Sequence, residues 1–124
     1  MISYEDVLNI HEFLIYKFGG THGIRDESLL KSALSRPFQT FDQVDLYKSH
    51  VEKAAALIES LVINHPFIDG NKRTGYVLMR LYLMENNLDI SANLNEKYEF
   101  VISIASGIRS YNQITVWIQS HLIE

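Results

Sequence analysis

The segment from Tyr76 to Met84, YVLMRLYLM, constrains the fold most strongly, because Arg80 is its only charged residue. Drawn as a helix, this segment is apolar on every side, and such a helix must be surrounded by other elements. It is much shorter than a membrane-spanning segment. We therefore predict a central helix buried among several others.

The rest of the chain predicts further helices, because apolar residues recur at helical spacing and no segment alternates as a half-buried strand would. Four helices should carry these apolar residues inward: Val7, Ile10, Leu14 and Phe18; Val51, Ala54, Ala55, Ile58, Leu61 and Val62; Tyr98, Val101, Ile102, Ala105 and Ile108; Ile114, Trp117, Ile118 and Leu122. With a short helix before residue 37, the predicted fold is all-α, a compact bundle of about six helices.

Capping residues predict where these helices begin and end. Ser3 should cap the first helix, and Asp26 should cap a short helix that runs through Leu34 and ends before Pro37. Asn95 should start the penultimate helix. Residues 37–47 have no clear period and predict a surface loop or flap, with a small strand pair as an alternative.

Composition limits the class of protein. The chain has 124 residues, enough for a single domain over residues 1–124. Its net charge of -4 argues against a general nucleic-acid binder, which would need a basic face. Because cysteine is absent, disulfides and thiolate metal sites are excluded. With no signal-like start and no apolar run of membrane-spanning length, we expect a cytoplasmic protein without a membrane partner.

Polar residues are concentrated in one stretch, His65 to Gly75, HPFIDGNKRTG, directly before the central helix. The first amides of a helix lack internal partners and carry the positive end of its dipole, so they attract anions. Gly70 would let the backbone approach a ligand, and Lys72 and Arg73 add charges suited to phosphate. The stretch predicts a phosphate-binding site.

Two further side chains in this stretch have chemistry that suits phosphates. A carboxylate such as Asp69 is the usual protein ligand of Mg²⁺ beside substrate phosphates. His65 can accept a proton from a hydroxyl near neutral pH. Together they predict phosphoryl or nucleotidyl transfer. Taken singly, His65 is better explained as a helix cap, and Asp-Gly-Asn is ordinary turn chemistry; the complete string favours the functional interpretation. Phe67 and Pro66 are interpreted as structural.

The remaining histidines have no metal-binding spacing. His11, His22, His50 and His121 form no HExxH pair, so we interpret them as surface or satisfied core residues. The chain also lacks GxxxxGK[ST] and GxGxxG, the common nucleotide-binding loops.

The string His65–Thr74, HPFIDGNKRT, resembles the motif of the Fic/Doc superfamily, and within it that of the Doc (death on curing) toxins. Six positions match at fixed spacing, and GGTHGIRDESLLKSALSRP is similar to the N-terminal part of Doc-like proteins. The resemblance implies the compact all-α Fic fold.

The sequence departs twice from the motif of AMP-transferring Fic enzymes, HxFx(D/E)GNGRxxR. Lys72 replaces the second glycine and Tyr76 replaces the last arginine. Doc proteins share the lysine, and the resemblance then implies an inverted ATP and a kinase that phosphorylates a threonine of translation elongation factor Tu. An AMP transferase and a catalytically idle nucleotide- or antitoxin-binding module are the alternatives.

The resemblance also implies roles for particular residues. His65 would be the general base, Asp69 the Mg²⁺ ligand, and Gly70, Asn71, Lys72 and Arg73 the groups that hold ATP. A Phd-like antitoxin would inhibit in trans from an apolar groove between helices. The segment Ser120 to Glu124 matches the inhibitory [ST]xxxE[GN] motif only in part, and we interpret this as chance. The oligomeric state and a target-binding role for residues 37–47 stay open.

Overall fold

The computed structural model describes residues 2–123, and this range contains six α-helices. They are α1 (Tyr4–Phe18), α2 (Glu27–Ser35), α3 (His50–Asn64), α4 (Asn71–Glu85), α5 (Leu94–Ala105) and α6 (Tyr111–His121), and a 3-10 turn, Arg36–Phe38, follows α2. The predicted all-α bundle is confirmed. No helix in the described range has the length and hydropathy required to cross a membrane.

The centre of the bundle is the pair α3 and α4, which is consistent with the predicted central helix. Leu78, Met79 and Leu83 of α4 are fully buried, whereas Arg80 is exposed. The two helices approach closely at Gly75, where an added Cβ would lie 3.0 Å from Val62 Cγ2. Because α6, α2 and α5 also pack on α3, the joint between α3 and α4 is held from several sides.

Side-chain caps begin five of the six helices. The predicted caps Ser3 and Asp26 are confirmed, since each accepts a hydrogen bond from a backbone amide three residues later. The predicted start of α5 at Asn95 is wrong by two residues. Asn93 is the cap, and it forms a reciprocal capping box with Glu96.

The inward face predicted for α5 is also wrong in part. Tyr98 is 65% exposed and Ile108 lies beyond the helix, whereas Phe100 and Ile104 are fully buried. The cause is a tertiary contact: the Phe100 ring stacks on Trp117 of α6 at 3.7 Å. Two apolar stripes compete on α5, and the partner ring selects the one that enters the core.

The predicted loop over residues 37–47 contains the small strand pair given as its alternative. Strands β1 (Thr40–Phe41) and β2 (Val44–Asp45) are antiparallel, and both turn residues between them have positive φ, as a two-residue hairpin requires. Its base is fixed to α3, where the buried Lys53 bonds Asp45 at 3.1 Å.

A second strand pair was not predicted. Strands β3 (Asp89–Ile90) and β4 (Leu122–Ile123) are antiparallel, so Leu122 belongs to a strand and not to the last helix. Arg80 joins α4 to β3 through two hydrogen bonds to the Asp89 carboxylate, at 2.8 and 3.0 Å. Strands of two residues are too short to show the alternation of apolar and polar residues by which a strand is recognised in a sequence.

The capping box of α5 leads to a stability prediction. Asn93→Ala should lower the free energy of unfolding by about 1 kcal/mol, because the amide of Glu96 loses its acceptor. Asn95→Ala is the matched control, and it should be neutral or slightly stabilising, since alanine favours the helix interior. Urea unfolding of both variants measures this, and a larger loss for Asn95→Ala would contradict the assigned cap.

Candidate active site

The loop between α3 and α4 carries the polar stretch identified in the sequence. His65 ends α3 in the left-handed conformation, with φ 49°, and its side chain is exposed. Arg25 donates two hydrogen bonds of 2.6 Å, to the carbonyls of Asn64 and His65. His65 is therefore a helix cap through its backbone, and this leaves its imidazole at the surface for chemistry.

The start of the loop is held by the segment before α2. The Pro66 carbonyl accepts from the amides of Arg25 and Asp26, at 2.8 and 3.0 Å. Ile24 and Phe67 form a β-bridge, and Phe67 is 1% exposed, in agreement with its predicted structural role. The loop that carries the candidate reactive groups is thus anchored by a buried ring.

Asp69 is exposed, and backbone amides hold its carboxylate. Oδ2 accepts from the Thr21 amide at 3.0 Å, and Oδ1 accepts from the Gly70 amide at 2.8 Å. These two hydrogen bonds, the first being the larger cause, lower the pKa of Asp69 below its ordinary value. The group is therefore fully ionised at neutral pH.

The carboxylate of Asp69 can reach the Thr21 amide because the preceding residue is glycine. At Gly20, an added Cβ would lie 2.8 Å from Asp69 Oδ2, and φ is +121°, a conformation that favours glycine. The sequence analysis did not identify this contact, and the adjacent glycines Gly19 and Gly20 are the sequence feature that could have indicated a close approach.

His11, on α1, supports the loop from inside. It is 4% exposed, its ring stacks on Phe67 at 3.7 Å, and its Nε2 lies 2.8 Å from the Asp69 carbonyl, to which it donates. Burial outweighs this hydrogen bond and lowers the pKa of His11 below its ordinary value. Of the two interpretations offered for His11, a surface residue or a satisfied core residue, the structure agrees with the second. The sequence indication is its position one turn after the apolar Val7.

Asn71 is buried at the first position of α4, and its side chain bonds the loop itself. Oδ1 accepts from the Phe67 amide and Nδ2 donates to the Phe67 carbonyl, both at 2.9 Å. This pair closes the loop into a fixed turn. The phosphate contact that the family resemblance implies for Asn71 stays a prediction.

The start of α4 differs from the other five helix starts. Its cap is Gly70, with φ 75°, and no side chain bonds the first amides. The first backbone hydrogen bond of the helix is from Thr74 to Gly70, at 2.9 Å. The amides of Asn71, Lys72 and Arg73 therefore lack helical partners, which suits the binding of an anion.

Both cations beside this helix start are exposed. Lys72 lies close enough to Asp69 to contribute to its lowered pKa. The Arg73 guanidinium lies over the Phe18 ring, 4.4 Å from its centre. All six predicted site residues thus lie in the loop or in the first turn of α4.

A magnesium ion would depend on Asp69 and on substrate oxygens. Residues 2–123 contain no group of three or more His, Asp or Glu side chains placed to hold a metal by themselves. An exposed, ionised carboxylate beside the predicted phosphate-binding helix start fits Mg²⁺, which commonly takes one or two carboxylates together with phosphate oxygens and water.

The hydrogen bond between Asp69 and Thr21 can be tested with two adjacent glycines. In Gly20→Ala, the new Cβ displaces the carboxylate, so the pKa of Asp69 should rise towards its ordinary value. Gly19→Ala is the matched control: φ is also positive, at +90°, but an added Cβ meets no atom within 4 Å. NMR titration of the Asp69 carboxyl carbon gives both values, and equal pKa values in the two variants would refute the contact.

His11 should make stability depend on pH. Its folded-state pKa is lowered, so between the ordinary value of about 6.5 and that lower value the unfolded chain binds more protons. The free energy of unfolding should fall as the pH drops through this window. His11→Gln keeps a donor for the Asp69 carbonyl and should reduce the slope. Urea unfolding of the wild type and of His11→Gln across this pH range measures how the free energy of unfolding depends on pH. Identical slopes in the two proteins would contradict the prediction.

Two comparisons with known proteins bear on the family of this chain. The family model described as "Fic/DOC family" matches residues 1–83, which span α1 to most of α4 and include the whole loop. The protein named "Toxin Doc" from Mycolicibacterium smegmatis is 40% identical over 91 residues, which cover 73% of this chain and 68% of that protein. The chain therefore belongs to the Fic/DOC family.

Proposed function

We propose that this protein is the toxin of a toxin-antitoxin system and acts as a protein kinase. It would transfer the γ-phosphate of ATP to a threonine hydroxyl of translation elongation factor Tu and so arrest translation in the cytoplasm. The observation that carries the proposal is the single loop that joins an exposed His65, an ionised Asp69 and two cations to an uncapped helix start. Family membership and the toxin named above support it.

The transfer step follows from these groups. The threonine oxygen attacks the γ-phosphorus, the bond from γ-phosphorus to the β-bridging oxygen breaks, and ADP leaves. His65 accepts the hydroxyl proton. Lys72, Arg73 and the amides at the start of α4 hold the phosphate oxygens. Mg²⁺, bound by Asp69, would neutralise charge on the phosphates.

Two residues support a kinase over an AMP transferase. Lys72 stands where AMP-transferring relatives have glycine, and its side chain takes space and attracts phosphate at the helix start. Tyr76 stands where they have arginine, and its ring is buried against Phe100. No guanidinium can therefore act from position 76. AMP transfer is the second candidate, because the rest of the motif is shared.

Inhibition is proposed to come from a Phd-like antitoxin in trans. Within the described residues, the end of the chain is engaged elsewhere: Ser120 bonds the Trp117 carbonyl at 2.9 Å, and His121 bonds Glu96 at 2.9 Å. Glu124, the acidic position of the partial inhibitory motif, lies outside the described residues. The engaged Ser120 and His121 support interpreting that match as chance.

A transfer assay tests the proposal. Purified protein is added to bacterial lysate with ATP labelled at the γ or the α phosphate. We expect γ label on a protein the size of elongation factor Tu, and loss of at least 100-fold with His65→Ala, as removal of a general base predicts. His22→Ala is the matched control, since His22 is also exposed but lies in the neighbouring loop, and it should keep its activity.

Each other outcome favours a named alternative. Label from the α position would identify an AMP transferase and refute the argument from Lys72. Absence of label from both positions, with ATP still bound, would identify an idle binding module. Full activity in His65→Ala would remove this residue from the role of base.

A further inference from the structure

A cavity lies between α1, residues 22–24 before α2, and the loop. Its volume is about 260 Å³, slightly below the range of about 300–1,000 Å³ that is usual for drug-sized ligands, so it suits a short ligand. None of the residues predicted to hold ATP or Mg²⁺ lines it, and neither does His65. The cavity is therefore a feature separate from the candidate active site.

The wall of the cavity has an apolar part and a polar part. Leu8, Ile24 and Phe67 supply apolar side chains. His11 and Glu12 supply polar ones, and they follow Leu8 by three and four positions, so all three side chains share one face of α1. A ligand with an alkyl stem and a polar end would match both parts.

His11 offers this cavity an acceptor that the protein does not use. Its Nε2 donates to the Asp69 carbonyl, so Nε2 carries the proton, and burial lowers the pKa of the ring, which leaves Nδ1 with a free lone pair near neutral pH. Nδ1 has no hydrogen-bond partner within residues 2–123. It keeps accessible surface, because Thr74 Oγ1 is the only unpartnered and fully buried side-chain polar atom in that range.

Glu12 gives the cavity a negative charge. Its carboxylate is exposed and forms no hydrogen bond or ion pair with any of the described residues, and no lysine or arginine lines the cavity. The carboxylate lies close enough to His11 to act on the pKa of that ring. Since residues 2–123 hold no group of three His, Asp or Glu placed for a metal ion, a cation that brings its own N–H donors is favoured.

We propose that this cavity binds an alkylammonium group, from a free amine or from a lysine side chain of a partner protein. The ammonium would donate to His11 Nδ1 and lie beside the Glu12 carboxylate, since its three donors can serve both acceptors. The alkyl stem would pack on Leu8 and Ile24. The proposal goes beyond the kinase and does not depend on it, because no residue of the proposed transfer step lines the cavity.

Nitrogen NMR of the isotope-labelled full chain tests the proposal, because the Nδ1 signal of a neutral histidine moves when its lone pair accepts a hydrogen bond. The solution is kept at about pH 8, above the ordinary histidine pKa of about 6.5, because a protonated His22 in the wall would repel the ligand. The probes are putrescine and Nα-acetyl-lysine N-methylamide. The matched probe is Nα-acetyl-norleucine N-methylamide, which has an alkyl stem without the ammonium.

Both amines are expected to move the His11 Nδ1 signal, and the norleucine probe should not. Glu12→Gln should weaken amine binding roughly fivefold, as loss of a partly exposed ion pair predicts. Glu5→Gln is the matched control, because Glu5 is exposed on the same helix but does not line the cavity. Equal melting temperatures of the two variants show that both are folded.

The two amines also distinguish the sources of the ligand. A response to the lysine probe alone would assign the site to a partner protein, a response to putrescine alone would assign it to a free amine, and each supports the proposal. An equal response to the norleucine probe would identify an apolar pocket and overturn it. An unmoved His11 signal with both amines, or an affinity that Glu12→Gln leaves unchanged, would overturn it too. Loss of the kinase proposal would change none of these readouts.

Discussion

The contact between α3 and α4 positions the candidate site, because the loop joins the end of one helix to the start of the other. Gly75 lets the two backbones approach, with Val62 filling the space that a larger residue would need. Close packing resists small displacements. The separation of the loop ends is therefore set by the core, and His65 is held at a fixed distance from the first turn of α4.

Within the loop, buried side chains and exposed side chains have different roles. Residues that fix its shape are buried and bonded: Asn71 closes it on Phe67, and His11 holds the Asp69 carbonyl. The candidate reactive groups, those of His65 and Asp69, are exposed. This separation has a physical advantage. The buried, hydrogen-bonded residues fix the shape of the loop, so the exposed side chains are not needed for that purpose.

Much of the fold could be predicted, because helical periodicity and capping are local properties. The central helix and the caps Ser3 and Asp26 follow from residue types a few positions apart. The errors on α5 have one cause: it carries two apolar stripes, and only contact with Trp117 decides that Phe100 turns inward. The sequence also predicted the segment of the candidate site, since all its residues are contiguous.

The amino-acid sequence by itself determined the helical class, the central helix and the position of the polar loop, because these depend on spacing along the chain. Tertiary structure decided what supports that loop. Thr21 and His11 reach Asp69 from 48 and 58 residues away. Contacts over such distances depend on how α1 packs against α4, and no local pattern encodes that packing.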